Sequence, residues 1–105
     1  MYFSENNNSS KSNYEFKSKD SLDAHYKKHV VEQGEFGNIT KDQYLNSANN
    51  LIENQNETSI LTKTRSNGDK IIYNQATNEF AVTDKSGNIK TYFKPADGIE
   101  YFNEQ

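Results

Sequence analysis

The residues best suited to chemistry in this sequence are its two histidines, His25 and His29, which lie four residues apart in the run AHYKKH. Residues four apart share one face of a helix, so helical structure would stack these two side chains. Imidazoles exchange protons readily near neutral pH. A pair of imidazoles beside two lysines suits the cleavage of a phosphodiester without a metal ion. A small ribonuclease is therefore the leading hypothesis.

Cleavage of RNA places defined demands on such a site. RNA supplies its own nucleophile, the 2′-hydroxyl. The protein therefore needs a base for that proton, an acid for the departing 5′-oxygen and donors for the charge on phosphorus. His25 and His29 can share the proton transfers, with Lys28 or Arg65 as the electrostatic partner. Arginine suits phosphate because its planar guanidinium donates in two directions.

The last predicted strand carries a second set of candidates. Alternation along residues 89–94 places Thr91 and Phe93 on one face of the strand. A hydroxyl beside an aromatic ring can hydrogen-bond a phosphate and stack on a flipped-out base. The candidate catalytic residues are therefore His25, His29 and Thr91, and the candidate substrate-binding residues are Lys28, Arg65 and Phe93.

Each of these features also has a simpler interpretation. One histidine can line the edge of the core while the other is solvated, and Thr, Tyr and Phe are common in any strand. Histidines at this spacing can also bind zinc, with Glu32 or Glu35 as a third ligand. The HExxH pattern is absent, because Tyr26 stands where its glutamate would be. We expect no metal and no cofactor.

The composition limits the possible classes of protein. With 105 residues, the chain has room for one domain with one modest core, and only 31% of its residues are apolar. It has no cysteine, which excludes disulfides and thiolate metal sites. No run of residues has the pattern of a membrane span or a signal peptide, so we expect no membrane partner. The net charge of −3 argues against non-specific polyanion binding, so a nuclease would need its cations gathered in a cleft.

Two helices are predicted in the first half of the sequence. The first begins near Asp20 and ends near Gly34, with apolar residues at helical spacing between them. The second begins at Thr40, which forms a capping box with Gln43, and ends by Asn56.

The second half of the sequence predicts strands and tight turns. Short runs rich in β-branched and aromatic residues are separated by turn sequences such as SNGD at 66–69. Pro95 ends the last of these runs. Tyr101 and Phe102 are expected to add a short final pairing. The four predicted strands are residues 58–64, 70–74, 79–83 and 89–94.

Two helices followed by an antiparallel meander indicate an α+β fold, in which N-terminal helices pack on a four-stranded antiparallel β-sheet. We expect this fold to occupy residues 20–105 as a single domain. Residues 1–19 are mostly Asn, Ser, Lys and Glu without a period. We expect them to form a flexible N-terminal lead-in or the remnant of a linker.

The order of several short motifs resembles a known family. The sequence KHV at 28–30, followed by EFG at 35–37, is similar to the Lys-His…Asp/Glu-Phe-Gly signature of the colicin D-like tRNA-cleaving toxins. The runs at 68–82 and 87–95 are similar to strands of these toxins. Both runs recur in C-terminal toxin domains of contact-dependent inhibition and other polymorphic bacterial toxin systems. Over residues 20–105 the chain thus resembles the barnase–EndoU–colicin–RelE-like nuclease group.

The resemblance implies roles for individual residues. It implies that His29 is the principal acid/base and that Lys28 is a phosphate-binding cation. It also matches Thr91 to a strand hydroxyl and Phe93 to a nearby aromatic ring. His25 has no secure counterpart, so its role rests on its spacing from His29. The role of Arg65 rests on its chemistry alone.

The resemblance also implies a function and partners. The expected activity is that of a metal-independent endoribonuclease toxin domain, which cleaves tRNA and leaves a 2′,3′-cyclic phosphate. The expected partners are RNA, a cognate immunity protein and a host protein activator. Such a domain is delivered as the C-terminal part of a larger secreted or surface toxin and acts in the cytoplasm of the target cell.

Two other classes of function stay open at this point. One is a non-catalytic protein-interaction module with the same fold, because the low apolar content and acidic charge suit a protein-binding surface. The other is a phage-associated or structural domain. The discriminating feature is whether His25, His29 and Thr91 converge in one cleft or lie apart.

Overall fold

The computed structural model describes residues 14–105. Its four strands form one antiparallel sheet in which neighbours in sequence are also neighbours in the sheet, and helices precede and follow the sheet. The predicted α+β fold, with N-terminal helices and a four-stranded antiparallel sheet, is confirmed. The elements in chain order are helix α1 (Lys19–Tyr26), a π-helical turn (Lys27–Glu32), helix α2 (Lys41–Glu53), strands β1 (Ile60–Thr64), β2 (Lys70–Asn74), β3 (Glu79–Thr83) and β4 (Ile89–Phe93), and helix α3 (Ile99–Asn103).

Helix α1 begins one residue before its predicted start because Ser18, rather than Asp20, caps it. The Ser18 side-chain oxygen accepts a hydrogen bond from the Ser21 N–H at 3.1 Å. This bond satisfies one of the N–H groups that a helix start leaves unpaired.

The chain passes directly from α1 into the wider π-helical turn. The turn ends where the Gln33 N–H donates to the Lys28 carbonyl, five residues back, at 3.0 Å. It buries His29 and Val30, whereas α1 itself contains no buried residue. The single regular helix that the sequence predicted here is therefore only partly right, since its second half has π-helical geometry.

Helix α2 forms as its cap predicts. The Thr40 side chain accepts from the Gln43 N–H, and the Gln43 side chain accepts from the Thr40 N–H, so the predicted capping box is confirmed. The apolar stripe of the helix packs on one face of the sheet. The buried residues of α2 are Tyr44, Ala48, Leu51 and Ile52.

The sheet buries both of its faces. The face toward α2 carries Ile72, Ala81 and Tyr92, and the opposite face carries Ile71 and Val82. This division follows from the alternation of side chains along each strand. Short turns join the strands into a meander, so each strand pairs with its neighbours in sequence.

The expectation of a short final strand at Tyr101 and Phe102 is wrong. Both residues lie in helix α3, which begins after Gly98, a residue with a φ of +59°. Phe102 is only 4% exposed and packs on the sheet face opposite α2. The last residues are helical because they cover an apolar face that the two preceding helices leave open.

The packed part of the chain begins before the predicted boundary at residue 20. Phe16 is only 6% exposed and forms a parallel bridge with Ile89. Residues 1–13 of the predicted lead-in lie outside the described residues. Among residues 14–105, no helix combines the length and the apolar character that crossing a membrane requires.

Candidate active site

A cleft of about 800 Å³ opens where the edge strand β4 meets the π-helical turn and helix α3. It brings together five of the six residues predicted from the sequence. Side chains from α1, the π-helical turn, the loop after it, β4 and the residues after β4 contribute to its wall. The predicted residues that line it are His25, Lys28, His29, Thr91 and Phe93.

His29, which lines this cleft, is held by a carboxylate. Its Nδ1 lies 2.9 Å from Glu35 Oε2, and both side chains are shielded from water, with 7% and 13% exposure. The other carboxylate oxygen, Glu35 Oε1, accepts a hydrogen bond from the Lys94 backbone N–H at 2.8 Å. A carboxylate only accepts, so His29 donates through Nδ1, and its Nε2 is left to exchange protons.

Two neighbouring rings fix the plane of the His29 imidazole. The ring of Phe93 stacks on it at 5.1 Å between centroids and 18° between planes. His25 stacks at 5.9 Å and 19°. The predicted stacking of the two histidines is therefore observed. Because Phe93 contacts His29 with its face, its clearest role is to hold the imidazole, and its contact with a nucleobase stays a prediction.

The environment of His25 favours the neutral imidazole. Burial lowers its pKa below the ordinary value of 6.5, and the positive charges of His29 and Lys28 lower it further. Its Nδ1 is buried and has no hydrogen-bond partner among the described residues. At neutral pH, His25 is therefore suited to accept a proton.

The cleft combines the hydroxyl of a strand threonine with more cationic than anionic side chains. Thr91 lies two residues before Phe93 on β4, on the same face of the strand, as alternation predicted. Two lysines line the wall, Lys28 and Lys94, against the single carboxylate of Glu35. The cleft can thus carry positive charge although the chain as a whole has a net charge of −3.

The structure does not bring Arg65 to the cleft. Its guanidinium donates to Gln105 Oε1 at 2.8 Å and lies 3.6 Å from the carboxylate of Asp69. Both contacts are made beside the turn between β1 and β2, and Arg65 is not among the residues that line the cleft. Its guanidinium therefore contacts the β1–β2 hairpin and the last residue of the chain.

Glu35 has a role that the sequence did not predict, since it bonds to His29. It lies between two glycines in left-handed conformation, Gly34 with a φ of +62° and Gly37 with a φ of +75°. The Glu35 N–H donates to the His29 carbonyl at 3.0 Å. These features turn the chain back after the π-helical turn, so that the carboxylate reaches the imidazole. The available signal was the EFG motif, which contains this residue.

The far wall of the cleft was also not predicted. Asn78 supports it, because its side-chain amide donates to the Pro95 carbonyl at 2.9 Å and its Oδ1 accepts from the Tyr73 hydroxyl at 2.7 Å. Tyr101 contacts Phe93 edge to face at 5.4 Å. The cleft-lining residues outside the predicted set are Gln33, Glu35, Asn78, Lys94, Pro95, Ala96 and Tyr101.

The zinc alternative finds no support in the arrangement of the side chains. Among residues 14–105, no group of three or more His, Asp or Glu side chains lies close enough together to hold a metal ion. The carboxylate of Glu35 is already bonded to His29 and to the Lys94 backbone.

Comparison with solved structures shows a similarity of fold. No protein-family model matches the chain, and no curated protein matches it. The chain is similar to one chain of a complex between a ribonuclease from Escherichia coli and its inhibitor protein, with a TM-score of 0.47 and 21% sequence identity. The match covers 78% of this chain and 95% of the other. At this level of similarity, neither an activity nor a family is transferred, and the colicin D-like resemblance stays a prediction.

The geometry by itself defines what the cleft can do. It holds two imidazoles in different environments: His25 is half-buried beside cations, and His29 is buried and bonded to a carboxylate. Two imidazoles in such different environments can take different roles, one as the proton acceptor and the other as the proton donor. The nearby lysines and the hydroxyl suit an anionic reacting group. These groups are chemically able to transfer protons at an anionic substrate.

Proposed function

We propose that this chain is a metal-independent endoribonuclease that cleaves RNA, with tRNA as its substrate. The observation that carries the proposal is the carboxylate-held His29 in one cleft with His25, Thr91 and two lysines. In the reaction, the 2′-oxygen bonds to phosphorus and the bond from phosphorus to the 5′-oxygen breaks. The products are a 2′,3′-cyclic phosphate and a 5′-hydroxyl.

The two histidines divide the proton transfers. His25, which is neutral at neutral pH, takes the proton from the 2′-hydroxyl as this oxygen attacks. His29 donates a proton to the departing 5′-oxygen, and Glu35 compensates the positive charge of its protonated form. A ring separation of 5.9 Å allows both imidazoles to reach the two reacting oxygens of one phosphate.

The remaining groups hold the phosphate and its flanking nucleosides. Lys28 lies beside the histidines. The Lys94 backbone is held by its N–H bond to Glu35, and the Lys94 ammonium lies 5.2 Å from the centre of the Phe36 ring. The charges of the two lysines stabilise the extra negative charge of the transition state, and the Thr91 hydroxyl donates to a non-bridging oxygen. The apolar end of the cleft, at Pro95 and Tyr101, accommodates a nucleoside.

The biological setting proposed here is that of a bacterial toxin. In the motif pattern KHV…EFG, the histidine and the glutamate are the two side chains that bond to each other in the cleft. This contact between two residues of the motif pattern supports the proposal. In this setting the domain is delivered as the C-terminal part of a larger secreted or surface protein. It acts in the cytoplasm of the target cell, with an immunity protein and a host protein activator as partners.

A direct assay tests the proposed activity. The purified protein is incubated with total tRNA in excess EDTA, in parallel with the His29→Ala variant. We expect fragments from the wild type and a rate roughly 10²–10⁴-fold lower from the variant, which is the usual contribution of one acid or base. Urea unfolding of both proteins controls for misfolding. Intact tRNA in both reactions would contradict the proposal and favour the non-catalytic interaction module.

A further inference from the structure

A short segment before α1 is built into the edge of the sheet. We call residues 14–17 the N-terminal strap. Phe16 forms a parallel bridge with Ile89, and the Ile89 N–H donates to the Glu15 carbonyl at 2.8 Å. The strap thus covers part of the backbone edge of β4, the strand that carries Thr91 and Phe93.

A single side chain of α2 clamps the start of the strap. The Asn49 Oδ1 accepts from the Tyr14 N–H at 2.7 Å, and the Asn49 Nδ2 donates to the Tyr14 carbonyl at 2.8 Å. The same Nδ2 also donates to the Leu45 carbonyl at 3.0 Å, which fixes the amide on its own helix. The amide therefore pairs with both backbone groups of Tyr14, as a neighbouring strand would.

The strap places an aromatic ring against the proposed base. Phe16 is 6% exposed and stacks on Tyr44 at 6.1 Å between ring centroids. Its ring also lies 5.2 Å from the His25 imidazole, with 32° between planes. His25 therefore makes ring contacts with both Phe16 and His29, and only one of these partners belongs to its own helical segment.

We propose that Phe16 is a positioning residue for His25, and that Asn49 keeps it in place by clamping the strap. The proposal rests on the proposed ribonuclease function, in which His25 is the base. Without Phe16, the imidazole loses one of its two ring contacts and water gains access to it. The ring then samples other rotamers, so fewer molecules hold the base near the 2′-hydroxyl.

The charges around His25 make this effect measurable. Burial is the largest cause of its lowered pKa, followed by His29 and Lys28. Across the cleft, the charged side chains are Glu35 and Lys94. None of these four groups is altered when Phe16 is shortened, so a change in the titration of His25 reports the loss of burial.

The experiment uses the full chain with Phe16→Ala and Asn49→Ala, and it follows the imidazole signals by NMR as a function of pH. A His25→Gln variant assigns the two curves. We expect the His25 midpoint to lie below 6.5 in the wild type and to rise toward 6.5 in both strap variants. On RNA, we expect kcat to fall roughly 10- to 100-fold while KM changes little, since geometry rather than binding is lost. Phe16→Leu, which keeps apolar cover, should restore most of the titration shift.

Matched controls separate positioning from a loss of stability. Leu51→Ala is the control for Phe16→Ala, because it removes buried apolar volume from the same core but lies outside the cleft. Asn46→Ala is the control for Asn49→Ala, because it removes the same side-chain amide at an exposed position of α2. We expect both controls to keep the wild-type midpoint of His25 and the wild-type kcat. If Phe16→Ala does not fold, Asn49→Ala still tests the positioning role, because it releases the strap and leaves every core side chain intact.

The outcomes distinguish this proposal from the one it rests on. Unchanged His25 midpoints and kcat in the strap variants of an active enzyme would overturn the positioning role alone. Equal losses in the Leu51→Ala control would overturn it as well. A wild-type protein that leaves RNA intact would instead refute the proposed function.

Discussion

The bond between Glu35 and His29 gives the most specific prediction of this structure. In Glu35→Gln, one oxygen is retained and can still accept from the Lys94 N–H, but the other becomes an NH₂ group. That group would face the Nδ1–H of His29, so two donors would meet at 2.9 Å. The imidazole would lose its fixed orientation and the negative charge that compensates its protonated form.

The expected loss of kcat/KM follows from the environment of the His29–Glu35 pair. Both side chains are shielded from water, with 7% and 13% exposure, so solvent screens their interaction weakly. A hydrogen bond to a charged group contributes about 1.5–3 kcal/mol. Since about 1.4 kcal/mol corresponds to a factor of ten in rate, we expect kcat/KM to fall roughly 10- to 150-fold.

The assay measures initial rates of tRNA cleavage in EDTA for the wild type, Glu35→Gln and Glu32→Gln. Glu32 is the matched control, because it is exposed at the end of the π-helical turn and undergoes the same chemical change. We expect Glu32→Gln to stay within about twofold of the wild type, as surface changes usually have small effects. A Glu35→Gln rate near that of the wild type, or an equal loss in both variants, would refute the reasoning.

Three further predictions concern groups around the cleft and the sheet. Thr91→Val keeps the shape of the side chain but removes the proposed donor to the phosphate, and should lower kcat about 10²-fold. An unchanged kcat would contradict the role proposed for Thr91. Lys28→Ala should raise KM for tRNA whereas Arg65→Ala should not, because of these two residues only Lys28 lines the cleft. A raised KM in Arg65→Ala with an unchanged KM in Lys28→Ala would indicate that tRNA binds outside this cleft. The hydrogen bond from Lys90 lowers the pKa of Asp69 below 3.8, so this carboxylate stabilises the fold above about pH 4 and loses that effect as the pH falls through its folded-state value. Urea midpoints between pH 7 and pH 3 should therefore fall less in Asp69→Asn than in the wild type, and parallel curves would contradict this.

The strands could be predicted closely because their boundaries are set by local turn chemistry. Strands β2 and β3 have the predicted limits, since turns with Asn, Gly and Thr bound them on both sides. The π-helical turn could not be predicted, because the pattern of apolar residues there fits an ordinary helix. Helix α3 was missed because a short run with two aromatic residues suits a strand equally well, and only the uncovered sheet face decides between them.

The candidate site was predictable where periodicity alone groups the residues. Helical spacing stacks His25 with His29, and strand alternation puts Thr91 with Phe93. The contact of Glu35 with His29 could not be predicted in this way. Glu35 lies in a loop between two left-handed glycines, where neither helical nor strand periodicity applies. The chemistry of Arg65 suits phosphate, but residue type carries no information on position.

The central claim is that imidazole groups in this cleft transfer the 2′-hydroxyl and leaving-group protons during RNA cleavage. Analysis of the fragment ends released from tRNA in EDTA tests it most directly. We predict 2′,3′-cyclic phosphate and 5′-hydroxyl ends with the wild type, and none with His29→Ala over the same time. Fragments with 3′-hydroxyl and 5′-phosphate ends, or tRNA left intact by the wild type, would contradict the account.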